Sequence, residues 1–124
     1  MGLGRSEQDR ADDIAAEVDG VGWAGDATDR AGATAMFDAA HEDLGGLDGI
    51  VDIVGMAQYK SLLEVDDENW QWHHDIVLRH AHLAVPLGGK AMADNGGGVM
   101  AFVASVSGIS SAPLHGAYGV FKAG

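Results

Sequence analysis

Three residues near the end of the chain have side chains that could transfer a proton. Ser105 follows the apolar run 99–104, and Tyr118 and Lys122 follow it with a spacing of four residues between them. Residues four apart lie on one face of a helix, so the Lys122 ammonium would stand one turn from the Tyr118 phenol. A nearby ammonium favours the phenolate and would bring the phenol toward acid/base use at neutral pH. The pattern predicts an acid/base site, although a surface Tyr/Lys pair and a strand-end serine would look the same.

The composition excludes several classes of protein. The chain has 124 residues, a formal net charge of −12 and no cysteine, and its length predicts a single domain over residues 1–124. Seven Lys and Arg residues are too few for the basic face that binds phosphates, so nucleic acid is not an expected partner. No apolar run approaches the roughly 20 residues of a membrane span, so no membrane partner is expected. The absence of cysteine fits a cytoplasmic enzyme.

Hydrophobic periodicity and turn residues predict the elements that must position the three side chains. Helices are expected over residues 6–18, 30–43, 67–94 and from 115 or 116 onward, and strands over 21–25, 47–54 and 99–104. Helices that alternate with apolar strands are typical of a parallel sheet with helices on both faces. The expected fold class is therefore α/β, with Ser105 just beyond the carboxyl end of a buried strand.

Local signals mark how the predicted helices begin and where one of them bends. Ser6 with Asp9 predicts a capping box at the first helix. The loop Asp26-Ala27-Thr28-Asp29 can cap the second helix, and Asp26 itself is a candidate for the N-cap. Pro86 lies inside the long helix and must kink it or open it locally, because proline has no backbone N–H.

The six histidines raise the question of a metal site. His73 and His80 share a face of the long helix, as do His74 and His82 more loosely. No cysteine or carboxylate triad stands beside them at ligand spacing, so no metal site is predicted, and the histidines are expected at surfaces or interfaces. Asp52, near the end of the second predicted strand, is expected to be structural and not catalytic.

Five segments between about residue 11 and residue 124 together resemble the short-chain dehydrogenase/reductases in their order and spacing. They are Asp26-Ala27-Thr28-Asp29, the strand that leads into Asp52-Ile53-Val54-Gly55, Asp75-Ile76-Val77-Leu78-Arg79, Val103-Ala104-Ser105-Val106-Ser107-Gly108 and Tyr118-Gly119-Val120-Phe121-Lys122. A Tyr-x-x-x-Lys element alone would be weak evidence, whereas five elements in the family's order are specific. The resemblance implies a partial Rossmann-like, doubly wound parallel sheet of three strands with flanking helices.

The resemblance also implies an activity, which is hydride transfer between a nicotinamide cofactor and a small carbonyl or alcohol substrate. In that activity Tyr118 would be the acid/base and Ser105 would orient the substrate oxygen. Lys122 would assist Tyr118. These three residues form the catalytic set that the resemblance assigns.

The cofactor implied by the resemblance is NAD or NADP. Lys122 would hold its nicotinamide ribose, with Tyr118 beside it. Asp26 would contact the adenine ring, with Ala27 next to it. Gly55 would allow close approach of either the cofactor or a neighbouring element, because glycine has no side chain.

The chain also departs from the family's pattern. Asp52-Ile53-Val54-Gly55 keeps only the glycine of the usual Asn-Asn-Ala-Gly, and Val77 replaces an asparagine that holds a proton-relay water in many relatives. The opening strand and Gly-rich phosphate-binding turn are missing, since no strand precedes Gly2-Leu3-Gly4. We therefore expect the chain alone to bind nicotinamide cofactor weakly or not at all. The strand at 21–25 would either pair with 47–54 or leave open edges.

A function of a different class stays open at this point. The chain could be a non-catalytic remnant of the family that acts as an interaction module. The long helix often forms the subunit interface in the family, so a homo-oligomer through residues 67–94 is a further expectation.

Overall fold

The computed structural model describes residues 6–110 and 112–124. Residues 1–5 and Ser111 lie outside the described residues, and so does the expectation about Gly2-Leu3-Gly4. In chain order the helices are α1 (Glu7–Glu17), α2 (Arg30–Leu44), α3 (Asp67–His73), α4 (His80–Asp94) and α5 (Gly116–Ala123). The strands are β1 (Gly49–Asp52) and β2 (Val99–Phe102), and short 3₁₀ turns lie at Leu62–Glu64 and Val106–Gly108.

The two strands pair in parallel, from Gly49 opposite Val99 to Asp52 opposite Phe102. A parallel pair needs a long crossover connection, and the helical stretch between the strands supplies it. The predicted α/β fold class is therefore confirmed. Both strands end earlier than predicted, since β1 stops at Asp52 and β2 stops at Phe102. Val51, on the sheet face turned away from the core, is 75% exposed.

The strand predicted over residues 21–25 is wrong, because the sheet of the described residues has two strands. A strand needs a neighbouring strand to pair its backbone groups, and here a side chain takes that place. The Gln8 amide donates a hydrogen bond to the Gly22 carbonyl and accepts one from the Ala24 N–H, both at 3.0 Å. Val21 keeps 59% of its surface exposed. Pairing of this segment with β1, one of the two expected outcomes, does not occur.

The core lies between α2, α4 and one face of the sheet. Its buried members are Phe37, Leu47, Ala84 and Met92, with Met36, Ala40, Ile50, Leu87, Ala91 and Met100 packed around them. Gly88 allows this packing, because a Cβ there would overlap the Ile50 side chain. The face of α2 that packs on the core carries Met36, Phe37 and Ala40 at helical spacing.

The first two helices begin with side-chain caps. At α1 Ser6 Oγ accepts a hydrogen bond from the Asp9 N–H, and the Asp9 carboxylate accepts one from the Ser6 N–H, so the predicted capping box is confirmed. At α2 the N-cap is Asp29, whose carboxylate accepts from the N–H groups of Ala31 and Gly32. The N-cap role considered for Asp26 is therefore wrong.

The long helix predicted over residues 67–94 is confirmed as one helical stretch with an irregular middle. Between α3 and α4 the residues His74–Arg79 form a π-helical segment. The departure from α-helical hydrogen bonding therefore lies before Pro86, which is contained within α4. π-helical turns inside α-helices occur frequently at functional sites, and Val77 is buried within this one.

Candidate active site

The predicted site residues follow the carboxyl ends of the two strands. Gly55 comes shortly after β1, Ser105 comes shortly after β2, and α5 carries Tyr118 and Lys122. In α/β sheets, ligands bind in the crevice at the carboxyl ends of the strands. The connectivity thus brings these segments to the edge of the sheet where a ligand site is expected.

Helix α5 is oriented by two adjacent stripes of side chains. Ala117 and Phe121 are buried, and the Phe121 ring packs edge-on against Trp70 at a centroid distance of 4.7 Å. The neighbouring stripe consists of Tyr118 and Lys122, which are half-buried. Because residues four apart share a helix face, burial of the first pair fixes the direction of the second.

Lys122 reaches from α5 to the ends of both strands. Its Nζ donates a hydrogen bond to the Val103 carbonyl at 2.8 Å. A Cβ placed on Gly55 would lie 3.3 Å from the same nitrogen, so the missing side chain of Gly55 leaves room for the ammonium. The neighbouring element that approaches Gly55 is therefore Lys122. A half-buried ammonium held in this way is pre-organised to stabilise negative charge beside it.

Ser105 is positioned by the turn that follows β2. Its Oγ accepts a hydrogen bond from the Ser107 N–H at 3.2 Å and so caps the turn Val106–Gly108. This turn packs directly on α5, because a Cβ at Gly108 would overlap the Lys122 carbonyl and one at Gly119 would lie 2.8 Å from the Ser107 carbonyl. Backbone contact at two glycines thus sets the position of Ser105 relative to α5.

Tyr118 has an aromatic and polar neighbour that the sequence reasoning missed. The His115 ring lies edge-on to the Tyr118 ring, with centroids 6.1 Å apart. His115 stacks on Tyr59 at 4.7 Å, and its Nδ1 is hydrogen-bonded to Ser107 Oγ at 2.8 Å. The signal that could have found His115 is its spacing of three residues from Tyr118, which places both on one helix face.

His73 ties the loop after β1 to the long helix. Its side chain is fully buried, and its Nε2 accepts a hydrogen bond from the Gln58 N–H at 3.1 Å. Nδ1 must then carry the proton and donate to the Asn69 carbonyl at 2.9 Å, so His73 is a neutral imidazole with both nitrogens used. The Asn69 amide also donates to Gln58 Oε1 at 2.6 Å. The expectation that the histidines lie at surfaces or interfaces is wrong for His73.

His80 forms a second buried contact that was not predicted. Its Nε2 lies 3.1 Å from Asp52 Oδ1, and the two side chains are only 5% and 8% exposed. The pair joins the end of β1 to α4, in keeping with the structural role expected of Asp52. His80 Nδ1 has no hydrogen-bond partner among the described residues. Within the same part of the chain, no group of three His, Asp or Glu side chains is arranged to hold a metal ion.

A cavity of about 630 Å³ adjoins Lys122 on the face of the sheet that carries α4. Its wall includes Asp52, Val77, His80 and Phe102. Val77 contributes only hydrocarbon to this wall. It therefore supplies no polar group in place of the asparagine that holds a proton-relay water in many relatives. Titratable groups reach this wall instead from the buried Asp52–His80 pair and from Lys122.

Asp26 and Ala27 lie apart from the catalytic set. The exposed Asp26 carboxylate accepts hydrogen bonds from the Thr28 hydroxyl at 2.6 Å and the Thr28 N–H at 2.8 Å. These two bonds hold the pKa of the Asp26 carboxyl below its ordinary value. Ala27 lines a separate cavity of about 290 Å³ beside α2 and β1. None of the described contacts joins Asp26 to Ser105, Tyr118 or Lys122.

Comparison with known proteins gives matches along the chain. A family model described as Enoyl-(Acyl carrier protein) reductase matches residues 1–124. L-2,3-butanediol dehydrogenase of Corynebacterium glutamicum is 31% identical over 98 residues, which cover 78% of the chain and 38% of that protein. NADP-dependent (R)-specific alcohol dehydrogenase of Lentilactobacillus kefiri is likewise 31% identical over 98 residues, covering 78% of the chain and 39% of that protein.

A solved structure with a similar fold points to the same family. The crystal structure of a short-chain type dehydrogenase/reductase from Mycobacterium marinum matches with a TM-score of 0.86 and 25% sequence identity, covering 94% of the chain and 49% of its counterpart. The chain therefore belongs to the short-chain dehydrogenase/reductases, and the family predicted from its motifs is confirmed. It spans about two fifths of the length of the curated relatives that it matches. Among the residues that the structure describes, no helix is long and apolar enough to cross a membrane.

Proposed function

We propose that the protein is an NAD(P)-dependent oxidoreductase that interconverts a small carbonyl compound and the corresponding alcohol. The observation that carries the proposal is the placement of Lys122, whose ammonium is bonded to the Val103 carbonyl beside Gly55. It stands one turn from Tyr118 at the carboxyl ends of both strands. Two relatives support the assignment by name, one a butanediol dehydrogenase and the other an NADP-dependent alcohol dehydrogenase.

The proposed roles follow from these positions. In carbonyl reduction Tyr118 gives its phenolic proton to the substrate oxygen, and Ser105 donates a hydrogen bond to the same oxygen. Lys122 stabilises the phenolate that remains on Tyr118. In alcohol oxidation the same groups work in reverse. The nicotinamide cofactor, when bound, supplies or accepts the hydride at the carbonyl carbon.

The residues of the proposed site could hold two parts of a nicotinamide cofactor, namely a ribose and the adenine. Gly55 leaves an open approach next to the Lys122 ammonium, where a ribose hydroxyl would find a donor. Asp26 and Ala27 form the proposed adenine end. We propose that the 124-residue chain by itself binds NADH and NADPH weakly or not at all, because residues 6–110 and 112–124 contain no Gly-rich phosphate-binding turn beside this site. Fluorescence titration measures this, and micromolar binding would overturn it.

The activity itself is tested by reduction of 3-hydroxy-2-butanone by the 124-residue chain at millimolar NADPH or NADH. Tyr118→Phe removes only the phenolic oxygen and should lower the rate by about 100-fold or more. Tyr59→Phe is the matched control and should keep most of the rate, because its ring still stacks on His115. Undiminished reduction by Tyr118→Phe would refute the catalytic assignment.

The non-catalytic interaction module is less well supported, because the two named relatives are dehydrogenases. Complete absence of turnover in the wild-type chain, at a cofactor concentration where the titration shows the cofactor bound, would revive it. As part of the same proposal we infer a single domain, a cytoplasmic location and a homo-oligomer through the long helix. Trp70 and Val85 on that helix are 41% and 51% exposed, which supports an interface there. Analytical ultracentrifugation of Val85→Glu would detect it as a shift to smaller species.

A further inference from the structure

His115 lies where three segments of the active site meet. It precedes α5, it is bonded to Ser107 in the turn after β2, and it stacks on Tyr59 in the loop after β1. The two loops are also joined through the backbone, because the Lys60 N–H donates to the Leu114 carbonyl at 3.1 Å and residues Lys60 and His115 form a parallel bridge. The imidazole is therefore fixed in position next to Tyr118.

The backbone before His115 supports a positioned side chain. Leu114 has a φ of 64°, a left-handed conformation that costs an L-residue with a side chain free energy. Such conformations persist where the surroundings impose them, and they cluster at functional sites. The Leu114 carbonyl accepts the Lys60 hydrogen bond, and the next residue, His115, donates its N–H to the Ala112 carbonyl, so backbone bonds lie on both sides of this conformation.

One nitrogen of His115 is left available. Ser107 Oγ occupies Nδ1, and nothing in residues 6–110 or 112–124 pairs with Nε2. A neutral imidazole can present Nε2 as a donor or as an acceptor, depending on the direction of the Ser107 hydrogen bond. The ring is half-buried, so Nε2 is a polar atom beside the Tyr118 ring that no protein group uses.

The geometry points to a role in choosing the substrate. The His115 ring flanks the Tyr118 ring, with centroids 6.1 Å apart, so it is a neighbour for the atoms next to a carbonyl that bonds to Tyr118. We propose that His115 Nε2 recognises a second oxygen on the carbon next to the reacting carbonyl, which favours 2-hydroxyketones and 1,2-diketones over simple ketones. This inference rests on the proposed oxidoreductase function and names the substrate class for it.

The kinetic test compares 3-hydroxy-2-butanone with 2-butanone as substrates of the 124-residue chain. The wild type should show a kcat/KM about tenfold higher for the hydroxyketone, the size expected of one hydrogen bond. His115→Phe keeps a ring on Tyr59 and should remove this preference by raising KM for the hydroxyketone, so that the ratio of kcat/KM values for the two substrates falls toward one. His41→Phe, on the exposed side of α2, is the matched control and should keep the preference. An unchanged ratio in His115→Phe would overturn the inference.

A binding measurement separates this inference from the proposed activity. The Hε1 resonance of His115 should shift when 3-hydroxy-2-butanone is added and stay in place with 2-butanone, while that of His41 should move with neither. A shift without turnover in the wild type would refute the oxidoreductase and retain the recognition role. Turnover with no selective shift would retain the oxidoreductase and refute the role of His115, and the absence of both would refute the two together.

Discussion

The proposed site has a catalytic side and an adenine side. The contacts that hold the catalytic side join residues far apart in the sequence, whereas those on the adenine side join residues close together. On the catalytic side, Lys122 is bonded to Val103 and His73 to Gln58, so each bond joins separate elements. On the adenine side, the exposed Asp26 carboxylate bonds to Thr28, two residues away, and to no other residue in 6–110 or 112–124. Bonds between separate elements hold a side chain in one geometry, whereas a local turn sets only its own shape. The difference predicts that substitutions perturb the two sides to very different extents.

The largest effect is expected from His73→Ala, on the catalytic side. The change removes a fully buried side chain and leaves the Gln58 N–H and the Asn69 carbonyl without their partner, so the free energy of unfolding should fall by about 3 kcal/mol. Chemical denaturation measures this loss. His41→Ala, on the exposed surface of α2, should change stability by about 0.5 kcal/mol or less. A loss below about 1 kcal/mol for His73→Ala would remove the contrast between the two sides.

A smaller effect is expected where the turn after β2 touches α5. Gly108→Ala places a methyl group on the Lys122 carbonyl, so the turn and the helix must separate at a cost of about 2 kcal/mol. The displacement should also weaken the Lys122–Val103 hydrogen bond, which NMR chemical shifts of the lysine side chain would report.

The matched control for that change is Gly89→Ala within α4. A methyl group there meets only the end of the Met100 side chain at 3.6 Å, so replacement of a helical glycine should stabilise the protein by about 0.5–1 kcal/mol. Equal effects of the two substitutions would show that the contact between Gly108 and Lys122 does not constrain the site.

On the adenine side, Gln8→Ala tests a side chain that hydrogen-bonds to the segment 22–24. It removes the hydrogen bonds to the Gly22 carbonyl and the Ala24 N–H, and the exposed site limits the cost to about 1 kcal/mol. Hydrogen exchange of the Ala24 amide should accelerate. Glu17→Ala in the same helix serves as the control and should leave that amide unchanged. Undisturbed protection of Ala24 in Gln8→Ala would mean that another contact holds the segment.

The smallest effect is expected from acidification at Asp26. Hydrogen bonds from Thr28 lower the pKa of this carboxyl, so its contribution to stability is present above the ordinary aspartate pKa and is lost as the pH falls through the lowered value. Carboxyl NMR titration should give a midpoint below that of an unperturbed aspartate. Thr28→Val should raise the midpoint toward the ordinary value. An ordinary midpoint in the wild type would show that the turn does not persist in solution.

Several elements could be predicted because their signals are local. The periodicity of Ala33 and Phe37 predicts the buried face of α2, and the capping box of Ser6 and Asp9 predicts the start of α1. The β-branched run around Ile50 predicts β1. The spacing of Ser105, Tyr118 and Lys122 predicts an acid/base site, and the family resemblance assigns their catalytic roles. These roles stay a prediction until the variants are measured.

Other features depended on partners far away in the chain. Residues 21–25 have the composition of a strand, yet a strand exists only where another strand pairs with its backbone. Asp26 and Asp29 are equally suitable caps by residue type, but the Asp26 carboxylate bonds to Thr28 and Asp29 caps the helix. His73 and His80 share a helix face. Their burial depends on their partners Gln58 and Asp52, of which Asp52 lies in β1 and Gln58 in the loop that follows it.

The amino-acid sequence by itself determined the family, the helices, the two paired strands and the candidate catalytic residues, because these are encoded in short patterns. Only the tertiary structure decided which side chains surround those residues. Lys122 meets Gly55, and His115 meets Ser107 and Tyr59, because two parallel strands bring loops from distant parts of the chain to the same edge of the sheet. Contacts of this kind have no sequence spacing from which they could be predicted.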